Sequence, residues 1–511
     1  MTVSQTKSVI ISETESETVS ATIPETLIAL DIGTSAVKAA LFDQSGVLLA
    51  RESESYSVDT PKPGWAQQHP DRWWEASCVV LRRLNTHPMA RYAVGLGIAG
   101  QSWSAVFLDE TGHVLTDCPI WMDTRAAAEC EQIDRAIGKD RLFELCGNPT
   151  QPSYTLPKIV WLRYHYLDIF SKTARVLQSN SFIAYRLTGE LSQDESQGYG
   201  LQCFDMRKCR WDTDIMRELG LPPSLLPSVS RCDAVIGTVT QEASRQTGLP
   251  SGLPVVAGGL DAACGTLGAG VVRSGQTQEQ GGQAGGMSIC VGEYAADPRL
   301  ILSRHVVPGL WLLQGGSVGG GGALRWLRDT VCPELSFEDM SALADTVAPG
   351  SGGLVFLPYL SGERSPIWNP NAQSVFYGLS YSTTRAHMIR ACMEGVAFSL
   401  RHNLEVAEAA GAVAGELRAM GGAANSRVWT QIKADVTGHE IAVPGTDEAT
   451  TLGAAILAGV GVGLFKSEAE AAERIVSVKR RHYPNPDTTA AYDAAYLQYR
   501  ELYERLRGMM V

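Results

Sequence analysis

Three short stretches of the chain carry residue types whose order suits the handling of a phosphorylated ligand. Asp31-Ile32-Gly33-Thr34-Ser35 ends an apolar run on a carboxylate and follows it with a glycine and two hydroxyls. Glycine lets backbone amides face outward, Thr34 and Ser35 add donors, and a carboxylate such as Asp31 holds Mg²⁺ through its water shell. An ordinary hairpin turn uses the same residue types, so this stretch alone fits both readings. In Gly258-Gly259-Leu260-Asp261 a second carboxylate follows two glycines at a helix start, where a small substrate can approach the backbone closely. Asp261 is a candidate general base toward a substrate hydroxyl and a second candidate Mg²⁺ ligand; the plain alternative is an N-cap, a position that Asp favours. Gly421-Gly422-Ala423-Ala424-Asn425 leaves room for a flat ring against the backbone, with Asn425 placed to read its edge, which suits adenine. A glycine turn before a helix is the simpler account of it. Two more glycine runs, Gly281-Gly282-Gln283-Ala284-Gly285-Gly286 and residues 315 to 322, would wrap a triphosphate. ATP is the nucleotide that this set implies. No Gly-Lys-Ser/Thr follows either run, so neither is a Walker loop, and residues 265 to 270 lack dinucleotide-fold spacing.

The surrounding elements must hold these stretches together. Residues 27 to 31, 36 to 41 and 47 to 51 read as strands of a β-meander, with Gly33-Thr34-Ser35 as its first turn. Pro70-Asp71-Arg72-Trp73-Trp74-Glu75 opens a helical pattern running through Leu84, and residues 94 to 99 form the next buried strand. Strands and helices alternate, so the fold class is α/β. The pattern restarts near residue 250 with a strand over 253 to 257, then the Gly258-Gly259 turn and a helix from Asp261. The expected organisation is a flexible tail over 1–25, one domain over 26–250, a second over 251–485, and a C-terminal helix in 486–511 with Tyr492, Tyr496, Tyr499 and Tyr503 near helical spacing.

A chain of 511 residues exceeds what one core organises, about 250 to 300 residues, so two large domains are expected. A net charge of -12 argues against a general nucleic-acid binder. The 11 cysteines lie singly, without metal-ligand spacing, which suits the cytoplasm. No apolar stretch reaches the roughly 18 residues of a membrane span. No nucleic-acid or membrane partner is expected; a homodimer stays open.

Taken in order, these stretches resemble the FGGY family of carbohydrate kinases, and its xylulokinase-like branch above all. The resemblance covers residues 26 to 480 and adds Gly97-Ile-Ala-Gly-Gln101, Ile120-Trp-Met-Asp-Thr-Arg125, Phe356-Leu-Pro-Tyr-Leu-Ser-Gly-Glu-Arg-Ser-Pro366, Glu394-Gly395 and Leu452-Gly-Ala-Ala455. It implies two ribonuclease-H-like (actin-like ATPase) domains, with sugar and ATP meeting between them. It implies that Asp261 takes the proton of the accepting hydroxyl, that Asp31 belongs to the metal and phosphate site, and that Gly421-Gly422 belongs to the adenosine site. The implied substrate is a small sugar or polyol, D-xylulose first, giving D-xylulose 5-phosphate. Another ketose, polyol or aldonate such as gluconate is the alternative, and an actin-like or heat-shock-chaperone-like ATPase without sugar transfer is the third. Departures fall at the sugar site. Ser102-Trp103 stands where the branch has Met-His, Ala262 where it has Asn, and Gln280 to Gly286 where it has a Gly-Thr-Ser turn. Gln101, Ser102, Trp103 and Trp121 are the candidate sugar contacts, the two indoles as flat walls; Asp123 and Arg125 are candidate sugar or domain contacts.

Overall fold

The computed structural model describes residues 25–510, so the tail expected over 1–25 lies, apart from Glu25, outside the described residues. The chain opens with the meander β1 (Thr26–Ile32), β2 (Ala36–Asp43) and β3 (Leu48–Ser55), paired antiparallel in sequence order. Nearly every residue of β1 is buried, as a continuous apolar run requires of a strand covered on both faces. Helix α1 (Pro70–Leu84) starts where the sequence predicts: proline sits in its first turn, and the Asp71 N–H donates to His69 Nδ1. Trp73 and Trp74 leave water on its inner face, each contributing about 2 kcal/mol or more of burial. Strand β4 (Ala93–Gly100) then pairs parallel to β1.

The sheet continues well beyond residue 250. After α2 (Thr155–His165) and α3 (Ser179–Thr188) come β5 (Val235–Thr238), β6 (Pro254–Val256) and β7 (Gly259–Leu260), and both β6 and β7 pair with β4. The division expected between residues 250 and 251 therefore falls too early. The strand that seemed to restart the pattern completes the first sheet, in the order β5-β6-β4-β1-β2-β3. Helix α4 (Asp261–Gly268) follows β7 directly.

The second sheet repeats the plan. Antiparallel strands β8 (Thr277–Gly281), β9 (Gly285–Val291), β10 (Ile301–Arg304) and β11 (Trp311–Ser317), with β11 between β9 and β10, are followed by helices α5 (Gly321–Val331), α6 (Phe337–Asp345) and α7 (Arg385–Ala409). Then come β12 (Leu417–Met420), α8 (Arg427–Thr437), β13 (Ile441–Pro444), α9 (Ala449–Gly461), β14 (Val478–His482) and α10 (Thr489–Leu506). The strand order is β10-β11-β9-β8-β12-β13-β14. In both sheets a run of antiparallel strands meets two parallel neighbours and ends on an antiparallel edge strand. Tyr492, Tyr496, Tyr499 and Tyr503 of α10 are buried in the second half's core, where the Tyr359 and Tyr499 hydroxyls lie 2.7 Å apart.

Helices α4 and α9 form the seam between the halves, and α9 also lies against β1 and β4. Small residues bring these backbones together. A Cβ on Gly268 would fall 1.8 Å from the Ala449 carbonyl oxygen, one on Gly453 1.9 Å from that of Cys264, and one on Gly97 2.0 Å from that of Ala454. Among the described residues no helix is long and apolar enough to cross a membrane.

Candidate active site

Asp31 lies near the C-terminal end of β1, beside Ala99 of β4, and β7 pairs Gly259 with the same Ala99 just before Asp261 opens α4. Both carboxylates therefore leave one sheet at one level, at the strand ends where ligands of open α/β sheets bind. Asp261 is no cap: the cap position belongs to Leu260, and among the described residues the Asp261 carboxylate accepts only the adjacent Ala262 N–H, at 2.6 Å. The turn before it is fixed by the Leu260 N–H, which donates to Ser196 Oγ at 2.9 Å, and by Asp194, which accepts the Ser196 hydroxyl at 2.5 Å.

The two carboxylates share a cavity of about 350 Å³ between the two sheets. Burial first, then the Asp261 charge and that of Glu448, against the help of Lys38, push the Asp31 carboxyl up to about 7. Burial pushes Asp261 up to about 6, against the Ala262 N–H. Asp31 Oδ1 is buried with no hydrogen-bond partner. Two desolvated carboxylates and an orphaned oxygen make a hard-oxygen donor set that suits Mg²⁺. Among the described residues no three or more His, Cys, Asp or Glu side chains gather as a metal cluster, so phosphate and water oxygens would have to complete the shell.

Gly33, Thr34, Ser102, Trp103 and Trp121 line the same cavity. The Trp121 indole N–H donates to Thr34 Oγ1 at 2.9 Å, tying one aromatic wall to the first glycine turn. Trp103 sits at φ 56°, in the left-handed region, with its ring 4.7 Å from Tyr154 and 6.0 Å from Tyr199. A Cβ on Gly200 would fall 2.4 Å from Trp103 Cδ1, so that glycine makes room for the indole. Beneath both walls, Lys158 of α2 donates to the Trp103 and Ile120 carbonyls, each at 2.8 Å. Burial pulls this ammonium down to about 7.

Four candidates fall elsewhere. Gln101 does not line the cleft: it is buried behind it and donates to Gln68 Oε1 at 3.1 Å, while Gln68 donates to the Thr34 carbonyl at 2.8 Å, so Gln101 backs the turn that Thr34 belongs to. Ser35 is exposed on the far side of that turn, its carbonyl accepting the Tyr56 N–H. Asp123 and Arg125 pair with each other at 2.7 Å in a nearly dry site, the guanidinium stacked 3.7 Å over Trp65. They hold the loop that carries Trp121 rather than facing a ligand.

A second cavity of about 280 Å³ brings together Gly281, Gly282, Gly422 and Asn425, with Phe337 and Trp429 as flat faces. Gly421 lies just behind, at φ 83°, where a Cβ would meet the Gly281 carbonyl carbon at 2.9 Å. The β8–β9 turn joins the two spaces. Gly281, Gly282 and Gln283 face the second cavity, while Ala284 and Gly285 face the cleft. Sequence reasoning missed Tyr199 and Arg364 among the cleft residues. Arg364 was within reach, being the cation of the Phe356 to Pro366 stretch; nothing local marks Tyr199.

Two family models match the chain: the N-terminal domain of the FGGY family of carbohydrate kinases over residues 26–268, and its C-terminal domain over residues 292–462. The chain belongs to the FGGY family of carbohydrate kinases. The boundaries of the first match agree with the sheet topology, since it includes β6, β7 and α4. This FGGY kinase is 30% identical to a xylulose kinase of Escherichia coli, over 94% of this chain and 99% of that one. It is 28% identical to a gluconokinase of Bacillus subtilis, over 91% and 93%. Among solved structures it is similar to a xylulose kinase from Rhodospirillum rubrum, with TM-score 0.89 and 31% identity, over 95% of this chain and all of that one. The kinase is thus a carbohydrate phosphotransferase built on two α/β domains of the actin-like ATPase type, which decides against an ATPase without sugar transfer.

Proposed function

We propose that this kinase moves the γ-phosphoryl group of ATP onto a hydroxyl of a small ketose, D-xylulose first, giving D-xylulose 5-phosphate and ADP. One observation carries the reading: Asp31 and Asp261 share a cleft that a single glycine turn joins to a second, flat-walled cavity. In this reading the second cavity takes adenosine, with Gly422 and Asn425 against the base, and the triphosphate runs over the turn toward Gly33 and Thr34. Asp261, with a carboxyl near 6, suits the role of a base that collects the proton of the accepting hydroxyl around neutral pH. Asp31 and Asp261 would hold Mg²⁺, which would supply positive charge against the triphosphate. Trp103, Tyr199 and Trp121 cover the apolar face of the sugar and exclude water that would otherwise hydrolyse ATP. Eleven unbridged cysteines support work in a reducing, cytoplasmic setting.

An aldonate acceptor is the second reading, favoured by the gluconokinase relative and by Ser102-Trp103 in place of Met-His. Coupled ADP release over ketoses, polyols and aldonates tests both. The expected result is acceptor-dependent release, with D-xylulose among the substrates. Full-rate release without any acceptor would overturn the reading.

A further inference from the structure

Among the described residues, Arg364 is the one basic side chain lining the cleft. Its backbone is pinned: the Arg364 N–H donates to the buried Glu363 carboxylate at 2.8 Å, and Glu363 also accepts the Val318 N–H and the Ser317 hydroxyl, each at 2.8 Å. Its guanidinium, by contrast, has no hydrogen-bond partner among the described residues, and Nε is fully removed from solvent. It lies across the two halves of the molecule. On one side it approaches the Trp121 ring, 5.7 Å from the centroid, and Trp121 holds Thr34 of the first glycine turn. On the other its Cζ is 3.2 Å from where a Cβ on Gly316 would stand, and Gly316 pairs with Gly286 at the end of the second glycine turn.

A desolvated guanidinium with unused donors is unfavourable unless an anion meets it. Glu363 does not serve as that anion: among the described residues its carboxylate accepts the Ser317 hydroxyl and the Val318 and Arg364 N–H groups, and makes no hydrogen bond to the guanidinium. A planar fork between two phosphate turns matches the equatorial oxygens of a phosphoryl group in flight, where charge builds during transfer. We infer that Arg364 binds the γ-phosphoryl oxygens of ATP and carries the charge that develops as the group passes to the sugar. In that step the accepting oxygen bonds to the γ-phosphorus while the bond from that phosphorus to the β–γ bridging oxygen breaks. The released electron pair leaves with ADP, and the hydroxyl proton goes to Asp261; Arg364 exchanges no atom.

The inference rests on the kinase reading above, and its test separates the two. Wild type, Arg364→Ala and Arg364→Lys are compared over the acceptor panel, and the affinities for ADP and for a non-hydrolysable ATP analogue are measured in parallel. Arg364→Ala is expected to lower kcat by about 100- to 1000-fold on every acceptor, somewhat below the loss of a trans-acting arginine finger. Acceptor KM should move less than about threefold. Added methylguanidine should restore part of the rate, the lysine variant should lie between, and preference for the ATP analogue over ADP should fall while ADP affinity holds. A kcat within threefold of wild type overturns the inference. So does a loss confined to aldonates, which would make Arg364 a reader of substrate carboxylate, and so does an equal loss of ADP affinity and melting temperature. If the wild type phosphorylates no acceptor, the kinase reading fails, and the ATP-analogue-to-ADP preference still decides the role of Arg364.

Discussion

The first hairpin of each sheet reaches the same place by different chemistry. The β1–β2 turn follows the Asp31 carboxylate and offers the Thr34 hydroxyl, while its Gly33 N–H is spent on the Ala36 carbonyl at 3.1 Å. The β8–β9 turn, at the equivalent position of the second sheet, offers no carboxylate and no hydroxyl. Its carbonyls are occupied instead: Gly321 N–H donates to the Gly282 carbonyl at 2.7 Å and Gly322 N–H to that of Gln283 at 3.0 Å, which seats the turn on the start of α5. A Cβ on Gly320 would lie 2.3 Å from the Ala284 carbonyl carbon. The first turn works through what its side chains provide, the second through the space it leaves and the surface it is clamped to. The halves thus divide the cleft, with both carboxylates from the first sheet and backbone and the Arg364 guanidinium from the second.

That division can be broken from either side. Replacing Asp261 with Asn or Ala is the strongest test of the first half: turnover should drop by about two to four orders of magnitude, the span for losing a general base. ATP binding, measured by titration, should persist, and near-normal turnover would leave Asp261 as scaffold only. In the second half, Gly320→Ala forces a methyl into backbone that cannot yield. It should destabilise by about 1–3 kcal/mol in chemical denaturation and cut activity at least tenfold, because overpacking shifts the turn. A double change at the sugar wall, Ser102→Met with Trp103→His, should raise relative kcat/KM for D-xylulose by roughly tenfold, the worth of about one well-made hydrogen bond. An unmodified enzyme preferring D-xylulose a hundredfold over every other acceptor would contradict it.

Two smaller effects sharpen the contrast. The Asp31 carboxyl has a folded value near 7 against an ordinary 3.8, so the folded state binds its proton more tightly than the unfolded state does. Its stabilising contribution is complete below about 3.8 and is lost progressively as pH rises to about 7. Asp31→Asn should therefore raise the melting temperature of the ligand-free protein by about 2 °C or more at pH 8, and by less at pH 5. The reverse order would show that Asp31 is not held as its burial implies. Gly282→Thr returns a hydroxyl to the second turn where the nearest atom would be 3.7 Å from the new Cβ. It should fold normally, with a melting temperature within about 2 °C of wild type, since the new side chain has room. A large loss there would mean that the second turn, too, depends on its immediate chemistry.

The elements that the sequence reveals are those whose pattern is local. The meander, α1 and the strand before Gln101 are contiguous apolar runs with turn residues at their ends, and all stand where their periodicity puts them. The domain boundary was illegible because β6 and β7 complete a sheet begun far earlier in the chain, and pairing partners leave no mark in a strand's own residues. At the site, glycine and carboxylate stretches were readable because a strand end followed by Gly restricts what its backbone can do. The direction of a side chain at that end was not. Gln101 ends its strand pointing inward to Gln68, and Asp123 turns back onto Arg125. Tyr199, in the short 3-10 helix Gly198–Leu201, and Arg364, in a loop, are placed by distant packing, so their convergence on Asp261 is a property of the assembled halves.

The glycine seam between α4 and α9 governs how those halves can move. Where Gly268 meets Ala449 and Gly453 meets Cys264, the contact is backbone on backbone. At those points there is no side chain to repack, so the two backbones cannot approach further. Any rocking of one half on the other would pass through this close contact, and the angle between Asp261 and Arg364 would change with it. A methyl added at residue 453 would then be felt at the far end of the lever, in the alignment of the two cleft walls, as much as at the hinge itself.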